Sequence, residues 1–189
     1  MPSSPTAWCP YPPGTADLHH EVELVVALGR DAPAGILPVE TAGTLILGYG
    51  IGLDLTRRDL QAAAKAKGLP WDTGKGFDHS APVSALLPAA EVDALAPLEL
   101  SLEVNGRRRQ AATLDQLIWD VPEILHALSK LYALRAGDLV FMGTPGRRGR
   151  TAPGRHVPRP SGRAAAAGWP DRPADGLSWH HTPPLGSHR

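Results

Sequence analysis

The chain has 189 residues, with 19 basic and 19 acidic side chains and one cysteine. That length suits one domain plus a tail. The lone Cys9 excludes an internal disulfide and fits a reducing cytoplasm, and no apolar run approaches the roughly 20 residues of a membrane span.

The N-terminus has no basic stretch followed by an apolar core, so no signal peptide is expected. The zero net charge hides an asymmetry. Residues 1–145 hold 11 basic and 17 acidic residues and residues 146–189 hold 8 and 2, so the body is −6 and the tail +6. An acidic body argues against a nucleic-acid-binding core. The arginines of the tail offer only non-specific attraction to nucleic acid, and Trp169 and Trp179 add no recognisable motif.

After a Pro-rich start, residues 1–17, the first predicted element is a strand over 18–29. Val22, Leu24, Val25, Val26 and Leu28 give it a buried, β-rich character. Alternation along a strand puts Glu21 and Glu23 on one face, with His19 beside them and His20 pointing away. Two adjacent carboxylates repel, so one holds a proton or a cation sits between them. The plain alternative is one solvated strand face. A loop with Pro33, Gly35 and Pro38 leads to a second strand near 44–54, ending in Asp54. A third acid from this strand would complete a set of hard oxygen ligands suited to Mg²⁺; otherwise Asp54 merely precedes a helix.

Thr56-Arg57-Arg58-Asp59 resembles a capping box with Asp in place of Glu, which predicts a helix over 56–67 ended by Gly68 and Pro70. Arg58 and Gln61 share a face of it, positioned for a ligand or simply exposed to solvent. Lys75 lies between Gly74 and Gly76, where the backbone can approach a ligand or turn at the surface. A strand is expected over 82–87 and another over 98–104, the latter with Leu98, Leu100, Leu102 and Val104 inward. Asn105-Gly106 then makes a tight turn into Arg107–Ala111. A helix over 117–134 places Leu117, Val121, Ile124, Leu125, Leu128 and Leu131 on one face, with Pro122 in its first turn. The strand 138–142 runs into Gly143-Thr144-Pro145, whose hydroxyl and amides suit a carboxylate. Many strands and few helices imply an α+β fold.

These segments together resemble the fumarylacetoacetate hydrolase family, closest to its acylpyruvase (fumarylpyruvate hydrolase-like) branch. The resemblance is carried by His19-His20-Glu21-Val22-Glu23-Leu24, by Asp54-Leu55-Thr56-Arg57-Arg58-Asp59-Leu60-Gln61 and by Lys67-Gly68-Leu69-Pro70-Trp71. Gly74-Lys75-Gly76-Phe77-Asp78, Val104-Asn105-Gly106, Arg109-Gln110, Gly137-Asp138 and Gly143-Thr144-Pro145 complete it in the family's order. It implies a mixed, multilayered β-sheet roll over residues 18–145, incomplete at both ends, and usually a homodimer. It also implies Mg²⁺ or Mn²⁺ held by Glu21, Glu23 and Asp54, with Lys75 stabilising enolate charge and Arg58, Gln61 and Thr144 binding the oxygens of a 2-keto acid. The implied reaction is hydrolytic C–C cleavage of an acylpyruvate. Oxaloacetate decarboxylation and isomerisation of a 2-hydroxy-diene-dioate are the alternatives within the superfamily.

Both ends depart from the pattern. Members of this branch carry a longer N-terminal stretch with a lid and a water-activating His-Glu pair, for which this chain has no counterpart; a catalytically inactive, truncated remnant is therefore the competing expectation. The tail, residues 146–189, has 8 Arg, 7 Pro and 7 Gly, and only Val157, Leu177 and Leu185 as aliphatics larger than alanine. Such a composition buries too little apolar surface to offset ordering, so disorder is expected. Gly154-Arg155-His156-Val157-Pro158-Arg159 can be encoded so that another frame reads Gly-Asp-Thr-Phe-Leu-Ala, closer to the family, which suggests an out-of-frame tail.

Overall fold

Seven consecutive buried residues, Val22–Leu28, form the central strand of the protein. The computed structural model describes residues 11–96, 98–104 and 107–145 and the backbone of 164–167. The strand expected over 18–29 is divided: β1 is Leu18–His19 and β2 is Val22–Leu28. After the helical turn α1 (Val39–Ala42), β3 (Ile46–Leu53) pairs antiparallel with β2, matching Val22 to Leu53 and Glu23 to Gly52. Asp54 follows β3 directly, and its N–H donates to Glu21 O at 2.8 Å.

β4 (Thr56–Arg57) pairs with β1, and α2 (Arg58–Ala66) starts straight after it. The capping box expected at Thr56–Asp59 does not form. Thr56 is buried in the β4 strand opposite His19, so its hydroxyl is not at a helix start. Asp59 instead accepts from Thr15 Oγ1 at 2.6 Å and Ala16 N at 2.9 Å, tying down the segment before β1. Gly68, with φ +64°, ends α2 in the left-handed conformation that glycine favours.

The strand expected over 82–87 shrinks to a single bridge from Val83 to Gly52 and a short β5 (Leu87–Pro88) on the outer edge of β3. Glycine is required in β3 at Gly52, where a Cβ would lie 2.6 Å from Phe141 Cε1 and 2.7 Å from Val25 Cγ2. β6 (Glu99–Val104) and β7 (Arg107–Thr113) pair antiparallel, with Leu100, Leu102 and Val104 buried as their alternation requires. The turn residues Asn105 and Gly106 lie outside the described residues.

α3 spans Val121–Ser129, much shorter than the expected 117–134. A capping box does form here: Asp120 Oδ1 accepts from Glu123 N at 2.9 Å, and Glu123 Oε2 accepts from Asp120 N at 2.8 Å. Asp120 is extended, as the N-cap role demands, so helix cannot run back through it to Leu117. Val121 and Leu125 are buried, whereas Leu131, past the helix end, is 76% exposed and does not share the apolar face.

β8 (Leu139–Phe141) completes a four-stranded sheet in the order β5-β3-β2-β8. A second sheet has the order β7-β6-β9, where β9 (Ala164–Ala167) runs antiparallel to β6 from inside the segment that composition marks as a tail. The rest of that segment, including Gly154–Arg159, lies outside the described residues, as do Cys9 and most of the Pro-rich start. The fold is α+β, with helices packed beside several sheets. One apolar core joins the sheets, with Leu24, Leu28, Leu100 and Leu125 almost fully buried. No helix among the described residues is long and apolar enough to cross a membrane.

Candidate metal centre

Glu21 and Glu23 stand two apart at the start of β2, on either side of Val22, while Asp54 leaves the end of the neighbouring β3. The antiparallel register therefore brings all three acids to one end of the sheet. One carboxylate oxygen from each lies within 4.8 Å of the others. Glu21 and Glu23 are 6% and 4% exposed, so their charges sit largely out of water.

The electrostatics of the three differ. Burial pushes the Glu23 carboxyl up to about 7; the Gly143 N–H, donating to Glu23 Oε2 at 2.8 Å, opposes this, while the charges of Asp54 and Glu21 add to it. Asp54 is also raised, by burial against the pull of Lys75. Burial pushes Glu21 upward too, but its hydrogen bonds to Lys75 and Arg58 outweigh it and hold the group below the usual carboxylate range. Three carboxylates this close, one of them reluctant to ionise, are a donor set that favours a hard divalent cation.

The cationic residues singled out from sequence lie around the acids. Lys75 Nζ donates to Glu21 Oε2 at 2.8 Å and bridges to Asp54 Oδ2. Arg58 divides its two terminal nitrogens, giving Nη2 to Glu21 Oε1 at 2.6 Å and Nη1 to Gln61 Oε1 at 2.5 Å. The Gln61 carbonyl is thereby occupied, which leaves its NH₂ group to meet a ligand oxygen. Glu21, Asp54, Arg58, Gln61 and Lys75 line one cleft of about 450 Å³ with Lys65, Trp71, Ser80, Ala81 and Phe141. Gly74, next to Lys75, packs against α2: a Cβ there would lie 3.1 Å from Gln61 Cβ.

Thr144 stands apart from that lining. Its hydroxyl donates to Val22 O at 2.8 Å and accepts from Gln110 Nε2 at 3.0 Å. His19 is buried with Nε2 3.0 Å from Asp17 Oδ1. His20 is held down to about 4, first by burial and then by the neighbouring His19 and Arg109 charges. Sequence reasoning missed Lys65, Trp71, Ser80 and Phe141 as cleft residues. Of these, Trp71 carried a signal, as the end of the Lys67-Gly68-Leu69-Pro70-Trp71 segment; in the structure Lys65 Nζ lies 5.6 Å from its ring centre.

The site is an α+β domain's sheet end where three carboxylates converge beside a lysine and an arginine, a donor set of the kind that suits a divalent cation. The chain belongs to the fumarylacetoacetate hydrolase family: the model of that family's C-terminal domain matches residues 3–168. It is 45% identical over 135 residues to a fumarylpyruvate hydrolase of a Ralstonia species, covering 71% of this chain and 69% of the relative. It is 37% identical over 143 residues to a mitochondrial oxaloacetate decarboxylase of Dictyostelium discoideum, covering 76% of this chain and 65% of the relative. A mitochondrial oxaloacetate tautomerase of Rattus norvegicus is 43% identical over 129 residues, 68% of this chain and 58% of that protein. The chain thus spans from 58% to 69% of the length of these relatives. Among solved structures, the fumarylpyruvate hydrolase of Pseudomonas aeruginosa in complex with Mn²⁺ and pyruvate superposes with a TM-score of 0.78 at 40% identity, covering 93% of this chain and 70% of that one.

Proposed function

We propose that this chain is a metal-dependent hydrolase that cleaves a C–C bond of an acylpyruvate, such as fumarylpyruvate or acetylpyruvate, with water to give pyruvate and a carboxylic acid. The observation that carries the reading is the convergence of Glu21, Glu23 and Asp54 within 4.8 Å, with Glu21 and Asp54 opening onto a cleft that also holds Lys75, Arg58 and Gln61. The Mn²⁺ and pyruvate of the Pseudomonas relative support it. Glu21, Glu23 and Asp54 would hold Mg²⁺ or Mn²⁺, which supplies Lewis acidity to the 2-keto acid end of the substrate.

The protein groups then have separate tasks. Lys75 Nζ, already between two acids, moves to the negative charge that develops on the enolate oxygen. Gln61 offers its NH₂ group to a substrate oxygen, and Arg58 fixes that amide while steadying Glu21. Thr144, outside that lining and bonded through its hydroxyl to Val22 and Gln110, would meet the substrate carboxylate through its loop backbone and not its hydroxyl. Enclosure of these charges in a partly apolar cleft, with Trp71 and Phe141 in its wall, strengthens each interaction.

A second reading is supported by the relatives that act on oxaloacetate. Decarboxylation and tautomerisation need the same enolate stabilisation but no attacking water. We also read the chain as a cytoplasmic homodimer. Exposed Ile118 and Trp119 before α3, and Leu131 and Tyr132 after it, are apolar surface that a second copy would cover.

The test is turnover of Mn²⁺-loaded protein on acetylpyruvate, fumarylpyruvate and oxaloacetate, with products identified by NMR. Equimolar pyruvate and carboxylic acid from an acylpyruvate, lost in Glu23→Ala, is the expected result. Carbon dioxide or tautomer from oxaloacetate, without acylpyruvate cleavage, would select the second reading. Absence of turnover with Mn²⁺ bound would mark a remnant that retains the centre without the reaction.

A further inference from the structure

Gln110 sits on β7, in a different sheet from β2, yet it reaches Val22, the first residue of β2, which lies between Glu21 and Glu23. Its strand neighbours Arg107, Arg108, Arg109 and Ala111 are exposed, and Gln110 itself is only 4% exposed. An inward strand position of this kind normally takes an aliphatic residue. A carboxamide there is costly unless its groups are paired.

Both ends of the amide are paired, and to one place. Gln110 Oε1 accepts from Val22 N at 3.0 Å, Gln110 Nε2 donates to Thr144 Oγ1 at 3.0 Å, and Thr144 Oγ1 donates to Val22 O at 2.8 Å. The three bonds close a ring around the Val22 backbone, midway between Glu21 and Glu23. The reason lies in the sheet. β8 pairs with β2 only over Val25–Ala27, and a last backbone bond joins Met142 N to Leu24 O at 3.0 Å. Beyond it the chain turns at Gly143, φ +84°, and leaves the edge of β2. Val22 is 2% exposed, so its N–H and C=O need partners that β8 does not provide. Gln110 and Thr144 take over the ladder with side chains.

We propose that Gln110 is a positioning residue for the acidic centre: it locks the Val22 peptide and the Gly143–Thr144 turn in one register, and so aims Glu21 and Glu23. The link to Glu23 is direct, because Gly143 N donates to Glu23 Oε2 at 2.8 Å, one residue from Thr144. The inference rests on the metal-centre reading given above. It asks nothing of the particular reaction.

The experiment measures Mn²⁺ affinity by electron paramagnetic resonance of the free ion, and urea stability in EDTA, for the full chain, four single variants and one double variant. Gln110→Leu removes both bonds, Gln110→Glu keeps the acceptor for Val22 N–H, and Thr144→Val breaks the other side of the ring. Leu102→Val is the control: Leu102 is buried and sits opposite Gln110 in the β6–β7 register. Gln110→Leu should weaken Mn²⁺ binding by about tenfold or more, the scale seen when partners of metal ligands are removed. Gln110→Glu should fall between it and the parent. The Gln110→Leu/Thr144→Val pair should bind no more weakly than the worse single variant, since one ring can be broken only once. Leu102→Val should lose stability with unchanged affinity. Unchanged affinity in Gln110→Leu, or affinity that merely tracks stability through all variants, overturns the proposal. If Gln110→Leu does not fold, Gln110→Glu and Thr144→Val decide the matter by the same readout. A parent chain that binds no Mn²⁺ would instead overturn the metal-centre reading, and this proposal with it.

Discussion

Replacing Glu23 with glutamine should make the metal-stripped protein more stable at alkaline pH, although it alters a buried polar residue. The Glu23 carboxyl stands at about 7 in the fold against an ordinary 4.5. A group raised in this way stays protonated in the folded chain while the unfolded chain has already ionised. Its contribution to stability is therefore complete below pH 4.5 and is lost as pH rises toward 7. At about 1.4 kcal/mol for each pK unit, the gap amounts to about 3 kcal/mol lost by pH 8. Glutamine mimics the protonated acid, and its carbonyl still accepts from Gly143 N. His20 acts in the opposite sense, because a histidine held at about 4 makes the fold lose stability as pH falls below its ordinary 6.5. The pH profile of the parent alone is thus a poor reporter. The difference between variant and parent removes the His20 contribution to first order. Urea unfolding in EDTA, from pH 5 to pH 8, should show that difference growing in favour of Glu23→Gln by about 2–3 kcal/mol. Saturating Mn²⁺ should close and then reverse the difference, since only the parent keeps all three ligands: the parent gains about 2.7 kcal/mol at a hundredfold excess over Kd and about 4.1 kcal/mol at a thousandfold excess. A variant that is destabilised by the same amount at every pH would refute the electrostatic account.

Mn²⁺ binding to the parent should weaken by about tenfold for each pH unit below 7, because Glu23 must lose its proton to become a ligand; calorimetry in buffers of different ionisation enthalpy should count the released proton. Lys75→Met should cost about 2 kcal/mol in EDTA, below the roughly 3–5 kcal/mol for a fully buried pair because the lysine side chain is 22% exposed, and should leave a larger stabilisation by Mn²⁺. Gly52→Ala should destabilise by about 1–3 kcal/mol, since Phe141 and Val25 occupy the space its methyl needs; a neutral effect in urea unfolding would show that Phe141 moves freely. Asp120→Ala should cost about 1 kcal/mol by removing the capping box of α3, readable as a fall in the urea midpoint without a change of slope.

Much of the site was legible before any fold was known. Alternation along an apolar run placed Glu21 and Glu23 together, and the family resemblance, where local chemistry left the alternatives open, joined them to Asp54, Lys75 and the Arg58–Gln61 face. Local pattern also placed strands over 18–29, near 44–54, over 98–104 and over 107–111, where the structure has them at 22–28, 46–53, 99–104 and 107–113. The misjudged elements are those where a contact distant in sequence outweighs local preference. Thr56-Arg57-Arg58-Asp59 reads as a cap, but Thr56 is drawn into β4 by pairing with His19, and Asp59 is claimed by Thr15 and Ala16. The helix expected from Leu117 begins only at Val121, because Asp120 is extended and held by Glu123. Gln110 shows the limit most clearly. Its place among the residues that carry the family resemblance marks it, but nothing local says that an amide on β7 meets a backbone 88 positions earlier. The sequence alone determined which residues bear charge and, along β2 and β6, which bury, but not the exposure of Leu131 past the end of α3. Tertiary structure alone decided which backbone groups were left without a ladder partner, and hence which side chains had to supply one.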